Sequence, residues 1–367
     1  MDIAVPRELR PGDYRVALTP VAVHELTTHG HRVFVEHQAG TGSGFDDQAY
    51  REAGAQIVYS HAEALQRGEL VVKVARPTQE EIDLFYEGQV VLAFWHLASA
   101  HPAKVQALIQ RRVTVLALET VQEDDGYFPL LHPIGKLAGR FAPHLAGHLL
   151  RNDAGGKGIL LGGVPGVPPA EVVIIGVGSV GTEAALSFAR VGASVYALDL
   201  NPRALERVDR FSQGKVITLT ATAANVRKVL TFADVVLLAV NRPGYRAPIV
   251  VSREALRTMR PRALLMDFAI DQGGAAETSR PTDHTNPTYV VDGVVHYCVP
   301  NVTGVLGRTA THVISNALLP WVLAIANHGL DTALDQYPAL RRGLHLRDGR
   351  ILHDGLKARY QAGGGVA

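Results

Sequence analysis

Gly176, Gly178 and Gly181 stand in the spacing G-x-G-x-x-G, directly after the apolar run EVVII and at the opening of a helical stretch that reaches Arg190. Glycine at the first position allows a tight turn. At the second it lets backbone approach a pyrophosphate, and at the third it lets helix and strand touch. With Ser179 and Val180 these residues form a helix N-terminus, whose unpaired N–H groups and positive dipole end favour phosphate. The next apolar run, SVYAL, ends in Asp199, eighteen residues after Gly181. A carboxylate there accepts hydrogen bonds from a ribose and repels a 2′-phosphate, so the expected cofactor is NAD rather than NADP. The competing reading is a glycine-rich strand–helix turn in a protein that binds no nucleotide.

Four charged residues fall where strands are expected to end. Arg15 lies in the loop after the first strand, Lys73 closes LVVKV, His96 follows the run ending in Phe94-Trp95, and Asp271 follows LLMDFA. Arginine suits a carboxylate bidentately, lysine polarises a carbonyl, and histidine exchanges protons near neutrality. Each has a plainer reading: a solvated loop charge for Arg15, a snorkelling side chain for Lys73, a core imidazole for His96, a turn-forming residue for Asp271. The shared location of the three cations at one sheet edge favours function, and Asp271 is expected to face the same cleft from the second domain. Asp267, inside its strand, reads as structural. His144 and His148 lie four apart on a helix, but HLAGH lacks a catalytic glutamate, so no metal site is expected.

The elements that must position these residues alternate. Runs 3–5, 32–36, 70–74, 89–95 and 113–119 read as strands, with helices over 20–29, 46–53, 79–86 and 102–111 between them. Thr19 is an N-cap, Pro20 opens the first helix and Gly30 ends it. Alternation implies parallel pairing, because a crossover must return the chain to its starting edge. After a Gly- and Pro-rich stretch at 155–169, read as a mobile connection, a second series has strands at 171–175, 194–198, 216–219, 235–239, 264–268 and 288–291. An apolar helix near 311–327 follows, and the tail QAGGGVA reads as disordered. The expected fold class is α/β: two Rossmann-like doubly wound parallel-sheet domains with an interdomain cleft.

Composition narrows the function classes. A formal charge of +1 over 367 residues offers no general attraction to nucleic acid or anionic membrane. The single cysteine, Cys298, forbids an internal disulfide and suits a reducing compartment. No basic-then-apolar leader and no run of roughly 18 apolar residues is apparent. A cytoplasmic protein without nucleic-acid or membrane partners is expected.

The stretches VPRELRPGDYRVALTP, GHRVFVEHQAGTGSGF, VVKVARP, GILLGGVPGVPPAEVVIIGVGSVG and AIDQGGAAETSRPTDHTNPTYVVDGVVHYCVPNVTG resemble the alanine dehydrogenase family, relatives of the NAD-binding part of proton-translocating transhydrogenase. The resemblance covers residues 1 to about 327, leaving the role of 328–367 open. It implies a discontinuous substrate-binding domain, 1–130 plus 306–367, with an NAD-binding Rossmann domain, 131–305, inserted. It implies a homo-oligomer, commonly a hexamer. It also implies that Arg15 and Lys73 hold the carboxylate and carbonyl of an amino acid or 2-oxo acid, that His96 is the acid/base, that Asp271 assists ammonia or water, and that Asn301 sits beside the nicotinamide. The expected reaction is reversible oxidative deamination of a small L-amino acid, alanine by resemblance, with NAD. The alternatives are a dehydrogenase of another amino or imino acid, and an idle transhydrogenase-like NAD-binding module. The sequence departs from the family at Phe94, Trp95, Ile134, Gly135 and Lys136, in stretches expected to line the substrate and nicotinamide.

Overall fold

The computed structural model describes residues 1–360; the tail QAGGGVA lies outside the described residues. Strands run in the order β1 (Asp2–Val5), β2 (Arg32–Glu36), β3 (Gln56–Val58), β4 (Leu70–Ala75), β5 (Val90–Phe94), β6 (Thr114–Ala117), β7 (Glu171–Ile175), β8 (Ser194–Asp199), β9 (Ile217–Thr220), β10 (Val235–Leu238), β11 (Leu264–Asp267), β12 (Thr288–Val291), β13 (Val294–Tyr297), β14 (Leu344–Arg347) and β15 (Arg350–Ile351). The chain divides into two compact units: residues 1–134 with 243–245 and those from 303 on, and residues 135–242 with 246–302.

The first unit holds an eight-stranded sheet of order β15-β14-β6-β5-β4-β1-β2-β3. Its strands β1 to β6 pair in parallel. The crossovers are amphipathic helices that start where the sequence predicts: Thr19 caps Pro20–Thr28, Asp46 caps Asp47–Glu52, and Gly30 follows the first helix at φ +82°. Strand order reverses at β1, which has β4 on one side and β2 on the other, so the carboxyl ends of β1 and β4 flank a topological switch point. The long helix Gly307–His328 packs Ile314, Leu318, Val322 and Ile325 into the core of this sheet.

The second unit repeats the design in seven strands, β12-β13-β11-β10-β7-β8-β9, with its switch between β7 and β10.

Several features depart from the expectation. Both sheets are mixed: β12 runs antiparallel to β13, β14 to β6, and β15 to β14. Strands β3, β13, β14 and β15 were not foreseen: all are short, although Asp292-Gly293 and Asp348-Gly349, with positive φ at both residues, mark the turns of β12–β13 and β14–β15. In the stretch 155–169 a bridge joins Val164 to Val167, closed by two backbone hydrogen bonds. Among the described residues one helix, Val302–His328, is long and apolar enough to cross a membrane, where the sequence reading found no apolar run of that length. Half of its most apolar window is buried within the protein, and it carries the buried polar residues Thr311 and Ser315.

Candidate functional site

In the second unit the loop after β7 is shaped by three glycines with different jobs. Gly176 sits at φ +91°, and a Cβ there would meet the backbone of Ala239 and Val240, just beyond β10, at 2.8 Å. A Cβ on Gly181 would lie 1.8 Å from the Gly176 carbonyl oxygen, so the helix Ser179–Arg190 could not approach the strand. Gly178 is exposed and has nothing within 4 Å, so its smallness serves no packing inside the chain. It is also the helix N-cap, and no side chain satisfies that terminus. Uncapped N–H groups beside open space are what a diphosphate requires. At the end of β8, Asp199 accepts hydrogen bonds from Val177 N–H and Asn201 N–H, each 2.8 Å. The carboxylate is thereby fixed beside the glycine loop, with lone pairs to spare for ribose hydroxyls. The residues present fit a dinucleotide.

The same unit joins Asp271 and Asn301. Asp271 lies in the short helical turn Ile270–Gln272 after β11, and its Oδ2 accepts the Asn301 N–H at 3.1 Å. Asn301 is held at φ +52°, a left-handed conformation that costs energy for a residue other than glycine.

In the first unit, Arg15 and Lys73 come together at the switch point. Arg15 is buried and forms a two-pronged ion pair with Asp13, at 2.7 and 2.6 Å, while its Nη1 reaches Thr303 Oγ1 at 3.3 Å. The loop carrying it is bound to the long helix: Thr311 Oγ1 accepts Val16 N–H, and Ser315 Oγ accepts Thr19 N–H, each at 3.0 Å. Burial alone would raise the Asp13 carboxyl, but the Arg15 charge and hydrogen bonds hold it below its ordinary value.

Lys73 lies inside β4 rather than at its end, where the ladder to β5 slips between Val72 and Ala75. The slip frees Val74 N–H, which donates to Glu8 Oε1 at 2.7 Å. The Lys73 ammonium, 1% exposed, meets Glu8 Oε2 at 3.2 Å and Glu81 Oε1 at 2.7 Å. Burial opposes its charge, yet the two carboxylates raise its pKa above the usual lysine value. Of these acids, Glu81 drops to about 2 despite burial, drawn down by Lys73 and His61. Glu8 moves the other way, because burial and the charges of Asp13 and Glu81 outweigh the pull of Lys73.

His96 follows β5 at φ +44°, and the Glu119 carboxylate accepts both Trp95 N–H (3.0 Å) and His96 N–H (2.6 Å). Its carbonyl accepts from Arg76 Nη1 at 3.1 Å, which ties it to the end of β4. The ring stacks against Phe94 at 6.3 Å.

Two sequence expectations need correction. Trp95 is fully buried, its indole N–H donating to Val91 at 3.2 Å, so it belongs to the core and lines nothing. Gly135 opens no pocket volume: a Cβ there would sit 3.3 Å from Ser179 and Val180, so its smallness serves helix packing. Ile134 packs against the core of the first unit, and Lys136 is exposed. Glu8, Asp13, Glu81, Glu119 and His61 escaped sequence reasoning. Glu8 and Asp13 both precede Arg15 within ELRPGDYR, and acids so close to a selected cation were the available signal. Among the described residues no group of three His, Cys, Asp or Glu side chains could hold a metal ion, and His144 and His148 are exposed.

Two doubly wound units, one with an uncapped glycine-loop helix beside a fixed acid, define a protein of Rossmann-like nucleotide-binding fold. Its family follows from similarity. The N-terminal domain model of alanine dehydrogenase/PNT matches residues 4–138 and the C-terminal domain model matches 142–354, so the chain belongs to the alanine dehydrogenase/PNT family. It is 42% identical to an alanine dehydrogenase of Methanococcus maripaludis, over 96% of this chain and 95% of that one. It is likewise 42% identical to one of Halomonas elongata, with the same coverage of each. A solved L-alanine dehydrogenase superposes with a TM-score of 0.89 at 41% identity, covering 99% of both chains. The transhydrogenase of Sinorhizobium meliloti shares the fold, with a TM-score of 0.76 at 24% identity over 96% of this chain and all of that one.

Proposed function

We propose that this protein catalyses reversible oxidative deamination of a small L-amino acid, alanine by family membership, to its 2-oxo acid and ammonia with NAD. The observation that carries this reading is identity of about 42% to alanine dehydrogenases along nearly the whole chain, with all four candidate site residues present. Gly176, Gly178, Ser179, Val180, Gly181 and Asp199 would hold NAD, with Asn301 beside the nicotinamide. When bound, NAD supplies the two-electron acceptor for oxidation at Cα. Arg15 and Lys73 bind the substrate's carboxylate and carbonyl oxygen, and their partners restrict both heads to one orientation, so less entropy is lost on binding. His96 exchanges the proton as water adds and ammonia leaves. Asp271, fixed by the Asn301 amide, assists the incoming water or ammonia. The substrate-binding role falls to the first unit and the NAD-binding role to the second; the assembly we propose is a cytoplasmic homo-oligomer, a hexamer by resemblance.

The test is loss of NADH absorbance on mixing the protein with pyruvate and ammonium. Oxidation that requires both is expected. No oxidation with pyruvate, together with intact NADH binding, would point to the idle module, and turnover of a different 2-oxo acid alone would point to another dehydrogenase.

A further inference from the structure

Behind Lys73 a chain of buried polar groups runs away from the candidate site. Glu81 Oε1, which receives the ammonium at 2.7 Å, also lies 3.1 Å from His61 Nε2. The other ring nitrogen, Nδ1, lies 2.7 Å from Glu36 Oε2, and Glu36 in turn accepts the Arg7 N–H at 2.7 Å. Glu81 Oε2 is taken up by Thr78 N–H at 2.7 Å, closing the capping box of the helix Gln79–Ile82. We propose that His61 is a positioning residue for Lys73: its imidazolium, clamped between Glu36 and Glu81, fixes the carboxylate that aims the ammonium and offsets the acid charge around it. This rests on the reading of Lys73 as the group that meets substrate oxygen.

Both ring nitrogens face carboxylates, and only the protonated ring can donate to both. The charge count points the same way. Four buried or nearly buried carboxylates, Glu8, Asp13, Glu36 and Glu81, surround two buried cations, Arg15 and Lys73, while Arg7 is half exposed. His61 adds a cation that offsets this acid excess from behind Glu36 and Glu81. Burial disfavours its charge, but hydrogen bonds to Glu36 and Glu81 raise it to about 9. Its positive form therefore prevails below that pH and is lost above it. The charged groups facing it are Glu36 on β2 and Glu81 on the helix Gln79–Ile82; beyond them Arg7 meets Glu36, and Lys73 meets Glu81 and Glu8.

Pyruvate does not titrate in this range, so its binding to the NADH-saturated protein without ammonium isolates the effect. Calorimetric titration between about pH 7 and 10 should give a dissociation constant that weakens as pH rises through about 9. His61→Gln should weaken pyruvate binding about tenfold near neutrality, remove the break near pH 9 and leave NADH binding unchanged. Glu8→Gln should keep the break, which separates His61 from the other acid on Lys73. Should His61→Gln fold poorly, Glu36→Gln removes one clamp and should move the break to lower pH. Pyruvate binding by His61→Gln within twofold of the parent, or an unmoved break in either the His61 or the Glu36 variant, overturns the proposal. Lys73→Met distinguishes the underlying reading. If it binds pyruvate normally, Lys73 is not the substrate group and both readings fall. If it loses pyruvate while His61→Gln does not, only the role of His61 falls.

Discussion

Asp199 holds the loop with the same carboxylate that, on the proposed reading, meets the ribose. Because both oxygens already hold backbone N–H groups, the side chain cannot swing away from a 2′-phosphate, and like charges held together in a binding site cost several kcal/mol (roughly). Asp199→Ala should therefore cut the ratio of kcat/KM for NADH over NADPH at least about tenfold. It should also weaken NADH itself, because Val177 loses its anchor; an unchanged ratio would mean that cofactor choice lies elsewhere. His96→Asn should lower kcat by about 10²–10⁴-fold, with NADH fluorescence titration near normal, since the ring belongs to the first unit and the glycine loop to the second. Near-parental turnover would remove the imidazole from the chemistry. Arg15, His96 and Asp271 drew notice in the sequence because charged groups just after strands are conspicuous; Lys73 did too, although it stands inside β4. The carboxylates that hold them did not: Glu8, Glu81 and Glu119 look like ordinary surface acids until the fold buries them.

At the scale of elements, the glycine loop makes a paired prediction. Gly181→Ala drives a methyl into the Gly176 carbonyl and should force the helix off the strand, losing about 1–3 kcal/mol of stability along with NADH affinity. Gly178→Ala meets nothing in the chain and should lose less than about 1 kcal/mol, through the poorer N-cap, yet bind NADH poorly because the methyl occupies the open space. Thermal melting and NADH titration of both variants check this. Equal melting of the two would show that the close approach at Gly181 is not needed. Capping and periodicity made β1, β2, β4, β7, β8 and their crossover helices legible. Strand β12 was read but its partner β13 and the hairpin β14–β15 were missed: the strands have four residues or fewer, and the local Asp292-Gly293 and Asp348-Gly349 turn signals were passed over.

For the molecule as a whole, His345 ties stability to pH. It is fully buried, and its Nε2 lies 2.9 Å from Thr120 Oγ1, whose hydroxyl donates to Ala117, so the ring must be the donor in that bond. Nδ1 is then a bare lone pair with no partner, and protonating it would place an unpaired N–H in the core. Burial, with His353 and His96 nearby, holds this pKa well below 6.5. A depressed histidine contributes stability that is complete above its unfolded value of about 6.5 and fades as pH falls below it, by up to about 1.4 kcal/mol per unit. Urea unfolding between about pH 7 and 5 should show that fall, and His345→Gln should flatten it. An unaltered slope would place the acid sensitivity in other groups. The hairpin that carries His345 has a separate effect. β6 is buried along its length, and β14 covers its outer edge, with Ala117 N–H bonded to Gly343. Beyond it β15 has only two residues, too short a template for another chain to pair with. The C-terminal segment thus acts as a guard against fibre-like addition of strands. Removing residues 343–360 should leave a protein that scatters light and sticks to itself edge to edge.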